Sequence, residues 1–441
     1  MAGRSPRAVP ADVDRRADAG RPLRVALVTW RLARSAGVPR FGRDLVAALG
    51  ERVRFTVLTL QEPAISTAEL AAIDAALARS VEVRALHPPV ASGTRAIRAG
   101  HELRRQWRNL RMIRGLDADV LHVIEGTWTS VALAVLCRRR STILSRFEPL
   151  ATRPGERAVR AERWLAHLVR TVVASPAIGD ALTAETRAFP PKIGLIRLGA
   201  MFEPPLQRTA ARAELGCPPG AHLVVSVGRV LPAKRPEVFI DVAARVRQSH
   251  PDALFLWVGT GTRLAACRKL LSDAGATDFV RFDGWLPRIA PALAAADVYL
   301  STSVREGFGL AVLEAQHAGL AVVAADAIAL RDLVLDGTTG RLAPVDDVVA
   351  LADAVSALLD DPAGAARMGA AGRRRQRALF TADAMAEGYL NEYARLARRR
   401  RRDRARRPAR RDVLRLLTAV SSARGRAPAP VRRSRPPGRR P

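Results

Sequence analysis

At 441 residues with 48% apolar side chains, the chain is too long for one ordinary core and rich enough in apolar material for two. Its net charge of +30 is unevenly spread, because in residues 398–441 18 arginines face only Asp403 and Asp412. Cys137, Cys217 and Cys267 are odd in number and too scattered for a disulfide framework or a metal cluster, residues 1–20 lack the apolar centre of a signal peptide, and no run approaches the roughly 20 apolar residues that span a bilayer.

The expectation is therefore a soluble or membrane-surface protein of the reducing cytoplasm. Among the 72 basic residues only Lys192, Lys234 and Lys269 are lysines, so much of the arginine reads as codon bias, and a lysine inside a motif stands out.

Predicted elements begin with the strand-like run LRVALVTW at 23–30, followed by a glycine-bearing loop at 35–37 and the helical pattern RFGRDLVAALGER. Short apolar runs recur at 53–60, 119–124, 141–145, 171–175 and 193–198, and strands alternating with helices predict a mostly parallel sheet. The proline-rich MFEPPLQRT after Gly199 breaks the pattern and marks a domain boundary. A second series then runs through 223–229, 253–261, 279–285, 297–303 and 320–326, with helices near 236–248, 262–274, 288–295, 309–318 and 346–359.

The α/β pattern thus predicts two doubly wound, Rossmann-like halves facing each other across a cleft at the carboxyl ends of their strands. The expected division is a disordered tail at 1–20, a first domain at 21–200, a second at 201–379, a helix at 380–397 returning to the first domain, and a basic, disordered tail at 398–441.

The densest signal lies between Val227 and Gly340. It reads VGRVLPAKRP, WVGTG, VRFDGWL, AADVYLSTSVREGFGLAVLEAQHAGLAVVAAD and DGTTGRLAPVDD in that order. This series resembles the nucleotide-binding half of the retaining glycosyltransferases of the GT-B fold, glycosyltransferase family 4 or glycosyl transferases group 1.

The resemblance implies a nucleotide-diphosphate sugar as donor, no cofactor and no metal. It implies that Arg229 and Lys234, five residues apart after a strand, hold the two phosphates. A departing diphosphate gathers negative charge, and fixed cations and N–H groups aimed at it favour the transition state over the ground state. Gly307 and Gly309 let the chain approach a ligand, and the amides around Phe308 to Leu310 open a helix whose start is an anion site. In the Glu-x7-Glu pattern, Glu306 is implied to accept from donor-sugar hydroxyls and Glu314 from the nucleotide ribose. Gly259 and Gly261 form a GxG after a strand, and Gly284 and Trp285 fall where the family contacts the base. GxG alone also describes a tight turn, and Trp285 equally suits a core or hinge.

The first half resembles the family's acceptor half less closely. Gly37 matches the loop that abuts the donor phosphates, and His122 is a candidate catalytic group as well as a candidate core histidine. Two departures stand out. Phe147 replaces a family histidine, leaving Arg146 and Glu148 as polar neighbours, and Ile328 and Ala329 replace a Gly-Gly before Asp332.

The Asp-x-Asp triplets at 12–14 and 117–119 read as turn acids rather than metal ligands. No pair of carboxylates flanking a scissile bond, as a hydrolase requires, is visible. The implied reaction is transfer of a hexose with retention, to a lipid-linked, polysaccharide or small-molecule acceptor.

Residues 95–114 place Leu103, Trp107, Leu110 and Ile113 at helical spacing opposite Arg98, Arg104, Arg105, Arg108 and Arg111. Such a stripe suits either an anionic membrane surface or a core face with solvated arginines. A second short stripe, Val413, Leu416, Leu417 and Val420, sits between arginine clusters. The competing classes are a catalytically silent scaffold and a nucleic-acid binder using the tail. The intact Arg229, Lys234, Glu306 and Glu314 argue against the first, and the lack of interleaved aromatics in the tail argues against the second.

Overall fold

The computed structural model describes residues 21–29, 37–59, 81–85, 107–124, 141–147, 169–185 and 192–404. The tail at 1–20, the Asp12–Asp14 triplet, Leu103 with Arg98, Arg104 and Arg105, Glu148 and the stripe at 413–420 lie outside the described residues.

Two all-parallel sheets carry the fold. The first contains β1 (Leu23–Thr29), β2 (Val53–Thr59), β3 (Val81–Ala85), β4 (Val120–Ile124), β5 (Ser141–Arg146), β6 (Arg170–Val173) and β7 (Lys192–Leu195) in the order β3-β2-β1-β4-β5-β6-β7. The second contains β8 (Leu223–Val227), β9 (Leu254–Val258), β10 (Val280–Gly284), β11 (Val298–Ser301), β12 (Ala321–Ala325) and β13 (Gly340–Ala343) in the order β10-β9-β8-β11-β12-β13. Central strands such as β4 and β12 are buried along their whole length, which explains why they read as unbroken apolar runs.

In each sheet the strand order reverses once, between β1 and β4 and between β8 and β11. At such a reversal the connections leave to opposite faces and open a crevice beyond the carboxyl ends of the strands.

Two strands and, beside the shorter helices Pro176–Glu185 and Arg208–Glu214, the helix Pro362–Leu379 were not legible in the sequence. β3 carries Glu82 and Arg84, and β13 reads GRLA; among the described residues both are edge strands paired on one side only, where less apolar character suffices. The helix Pro362–Leu379 is masked by Gly364, Gly369 and Gly372. At Gly369 a side chain would collide with the Gly319 carbonyl, so the glycine lets the helix lie against its neighbour. The Asp361 side chain caps it, accepting from Gly364 N at 2.8 Å.

After the second sheet the chain returns to the first. The helix Ala382–Arg404 buries Met385, Tyr389, Tyr393 and Leu396 in the same apolar cluster as Leu45, Leu49 and Phe55. Ser141 Oγ donates to Leu396 O at 2.5 Å, and Arg170 pairs with Glu392 at 2.7 Å. This helix runs on to Arg404, through arginines expected to begin the disordered tail, since arginine is a good helix former.

Candidate functional site

At the reversal point of the second sheet, β8 ends at Val227 and the chain turns through Gly228, Arg229 and a short helical turn, Pro232–Lys234. β11, its neighbour, runs into the segment that carries Glu306. Lys234 Nζ donates to Glu306 Oε1, and Ser303 Oγ donates to the same oxygen at 2.9 Å. Thr302 Oγ1 pins the lysine loop by bonding Lys234 O at 2.8 Å and Arg235 O at 3.0 Å. Arg229 is exposed and has no hydrogen bond or ion pair among the described residues, so it is a free cation at a strand end.

The helix Leu310–Ala318 follows. Gly309 starts it with φ 92°, and no side chain caps it. The Val312 and Leu313 amides bond back to Gly309 O, leaving the first N–H groups of the turn unpaired, as at any uncapped helix start. Gly309 has no room for a side chain either, since a methyl group there would lie 2.8 Å from Leu330 Cδ2. Phe308 turns inward and packs on Phe380, ring centroids 6.1 Å apart, so only its backbone faces the turn.

The first sheet offers a matching feature. Gly37, φ 91°, starts the helix Val38–Leu49 beyond β1, again without a side-chain cap. Arg40, in the first turn of this helix, reaches across and bonds Glu314 Oε1. Arg40 Nε also lies 3.3 Å from Asp44 Oδ2, and its Nη2 donates to Met201 O at 2.5 Å. Two glycine-started helices, one from each reversal point, are thus tied together by one ion pair.

Burial pushes the Glu314 carboxyl above its ordinary range, against the pull of Arg40. Burial equally opposes the charge on Arg40, but the carboxylates of Glu314 and Asp44 outweigh it and hold the guanidinium protonated. Both glutamates of the Glu-x7-Glu pattern are held through one oxygen, Oε1, and among the described residues nothing bonds either Oε2.

Gly259 and Gly261 have a packing reason of their own. A side chain on either would strike the backbone of Gly228 or Val230, and Val230 N donates to Thr260 O at 2.9 Å. They let the β9 loop lie beside the loop that carries Arg229. Gly284 closes the row by accepting from Gly259 N at 2.6 Å, and Trp285 next to it is 60% exposed rather than part of the core.

His122 is a correction. It lies fully buried within β4, with Nδ1 2.6 Å from Tyr393 Oη and Nε2 2.7 Å from Ser145 Oγ, and Ser145 Oγ is 2.7 Å from Tyr389 Oη. Burial lowers its pKa to about 3, so the ring is neutral and both nitrogens are used. It is a core polar network under the returning helix, with no face toward a ligand.

Phe147 fills the same core, 4.9 Å from the Phe41 ring, and Arg146 is buried beside it. The loop with Ile328 and Ala329 also has a structural use. Ala329 is buried against Val173, Ile178 and Leu182 of the first half, and Asp332 Oδ2 accepts from Ala177 N at 3.2 Å. Asp117 and Asp119 sit before β4, at the opposite end of the strands from the reversal point, against Arg21 and Arg24. Sequence reasoning missed Arg40, Asp44, Ser303 and Thr302. Nothing local separates Arg40 from the other arginines; only its place one turn after Gly37 does.

Residues 207–375 match the family described as Glycosyl transferases group 1. That segment is similar to a glycosyl transferases group 1 domain. Over 199 residues the chain is 37% identical to a D-inositol 3-phosphate glycosyltransferase of Nocardia farcinica, covering 43% of this chain and 44% of that protein. Over 204 residues it is 32% identical to the lipopolysaccharide core biosynthesis mannosyltransferase LpsB of Rhizobium meliloti, covering 45% and 58%. The chain therefore spans about half the length of the curated relatives it matches.

The whole described chain has the GT-B fold. HepE of Anabaena, solved with UDP and glucose, superposes with a TM-score of 0.71 at 18% identity, covering 85% of this chain and 100% of that one. Sucrose-phosphate synthase of Thermosynechococcus elongatus gives 0.69 at 22% identity, covering 85% and 99%. Every switch-point residue described above in the second half lies inside the segment that matches the group 1 family.

Proposed function

We propose that the protein is a glycosyltransferase that takes a hexose from a nucleotide-diphosphate donor and passes it, with retention, to a lipid-linked, polysaccharide or small-molecule acceptor. The observation that carries this reading is the Lys234–Glu306 pair across the β8–β11 reversal point, beside an uncapped helix start at Gly309 and a free Arg229.

The diphosphate would lie between Arg229, Lys234 and the Leu310 amide, its charge met by two cations and a helix start. Glu306 Oε2 would accept from the sugar hydroxyls, and Glu314 Oε2 from the ribose. In the transfer step the acceptor oxygen bonds to the anomeric carbon as that carbon's bond to the diphosphate breaks. The acceptor proton passes to a donor phosphate oxygen on the same face. Because the neutralising charges come from the chain itself, the proposal includes no metal.

A solved structure of the same fold supports the donor class: HepE of Anabaena is solved with UDP-glucose. We also propose docking on an anionic membrane surface through the helical segment 107–115. There Leu110 and Ile113 face the core while Arg108, Arg111 and a 48%-exposed Trp107 face outward. No helix among the described residues is long and apolar enough to cross a membrane.

The test is transfer from a panel of UDP-, GDP- and ADP-sugars, with Glu306→Ala and Lys234→Ala as controls. Normal turnover in both variants would defeat the reading. Sedimentation with vesicles containing phosphatidylglycerol tests the membrane part, and unchanged binding by an Arg108→Glu, Arg111→Glu variant would defeat it.

A further inference from the structure

We infer that Arg40 is a positioning residue of the donor site: from the opposite half it holds the Glu314 carboxylate charged and oriented, so that Oε2 is left to accept ribose hydroxyls. This rests on the donor reading above.

Three observations carry it. Arg40 spans from the helix after β1 to the helix after β11, so a side chain of the first half joins Arg229, Lys234, Glu306 and Glu314, which all lie in the segment 207–375. Its guanidinium is placed independently of Glu314, by Asp44 at 3.3 Å, by Met201 O at 2.5 Å and by the Phe202 ring 5.9 Å below it. A cation so anchored is a fixed part of the site rather than a swinging latch. Glu314, moreover, sits in surroundings that otherwise oppose its charge.

The charged and titratable groups that act on Glu314 are Arg40 and Asp44 from the helix Val38–Leu49, Glu203 from the segment after β7, and Tyr299 from β11. Of these only Arg40 is cationic. Without it, burial and the two neighbouring acids would push the Glu314 pKa higher still, and a protonated carboxyl accepts fewer hydrogen bonds.

The sign follows directly. A variant without the cation loses the carboxylate form at a higher pH than the wild type, so its donor affinity falls as pH is lowered while the wild type holds. The test is calorimetric titration of the full chain with UDP, GDP and ADP between about pH 6 and pH 9, for the wild type, Arg40→Met and Arg40→Lys.

The expected result is that Arg40→Met binds the preferred nucleotide about tenfold more weakly at the acid end and recovers toward the wild type at the alkaline end, with Arg40→Lys between the two. The 2′-deoxy nucleotide should show a smaller Arg40 effect, which a merely structural role would not produce. Wild-type binding with an unchanged or tighter, pH-independent Arg40→Met overturns the inference alone. Failure of the wild type to bind any of the three overturns the donor reading with it. Arg40→Lys keeps the test decisive if the methionine variant melts early.

Discussion

Lys234 and Glu306 are 72 residues apart in the chain, yet the ammonium of one donates to the carboxylate of the other across the gap between β8 and β11. The pair sets a cation and an acceptor side by side at the one place in the second sheet where the fold opens a crevice. On the proposed reading, losing the cation removes charge stabilisation from a departing diphosphate. Lys234→Ala is expected to lower kcat by about 100- to 1,000-fold, on the scale of removing one preorganised donor. Steady-state kinetics with a cognate donor, beside a melting curve close to wild type, checks it.

Gly309 combines a positive φ of 92° with no space for a methyl group, between Leu330 and Leu333. Gly309→Ala is expected to cost about 1–3 kcal/mol through backbone strain and the collision, and to shift the helix start that the proposal places against the diphosphate. Urea denaturation should show the loss of stability, and nucleotide titration a weaker affinity. Wild-type values in both would show that the turn adapts freely.

His122 has an ordinary pKa of 6.5 in the unfolded chain and about 3 in the fold, because it is buried neutral. The fold therefore binds fewer protons than the unfolded state below pH 6.5. The stability it contributes is complete above that pH and is lost as pH falls toward 3, at about 1.4 kcal/mol per pH unit. His122→Gln keeps a donor and an acceptor for Tyr393 and Ser145 but does not titrate. Its denaturation midpoint should fall less steeply than the wild type's between pH 6.5 and pH 4.5. Parallel slopes would mean that the ring reaches solvent.

If Arg229, Lys234 and the Leu310 turn supply the countercharge as proposed, transfer is expected to survive dialysis against EDTA. A loss of more than about tenfold, restored by Mg2+ or Mn2+, would show that a metal carries part of that charge.

Much of this was legible in one dimension. The alternation of apolar runs and helical spacing foretold two parallel sheets, because strands buried on both faces must be apolar throughout, as β4 and β12 are. Edge strands escape that requirement, and β3 and β13 went unread for that reason. The helix Pro362–Leu379 went unread because its glycines, needed for close packing, look locally like helix breakers.

His122 shows the opposite limit. A histidine in a strand of the first half suits chemistry and core alike in sequence, and the choice depends on Tyr389 and Tyr393, which come from a helix more than 260 residues away. Burial by a distant element leaves no trace beside the residue it buries.

By itself, the order of residues determined the chemical types at the proposed donor site: glycines where the backbone must turn or approach closely, a lysine and an arginine after one strand, glutamates eight positions apart. Those depend on local backbone geometry and on charge, which a short stretch of chain carries with it. Tertiary structure alone decided that Arg40 faces Glu314 and that His122 faces only its own core. Both outcomes follow from how two sheets and a returning helix pack, and packing is a relation between segments that no single segment records.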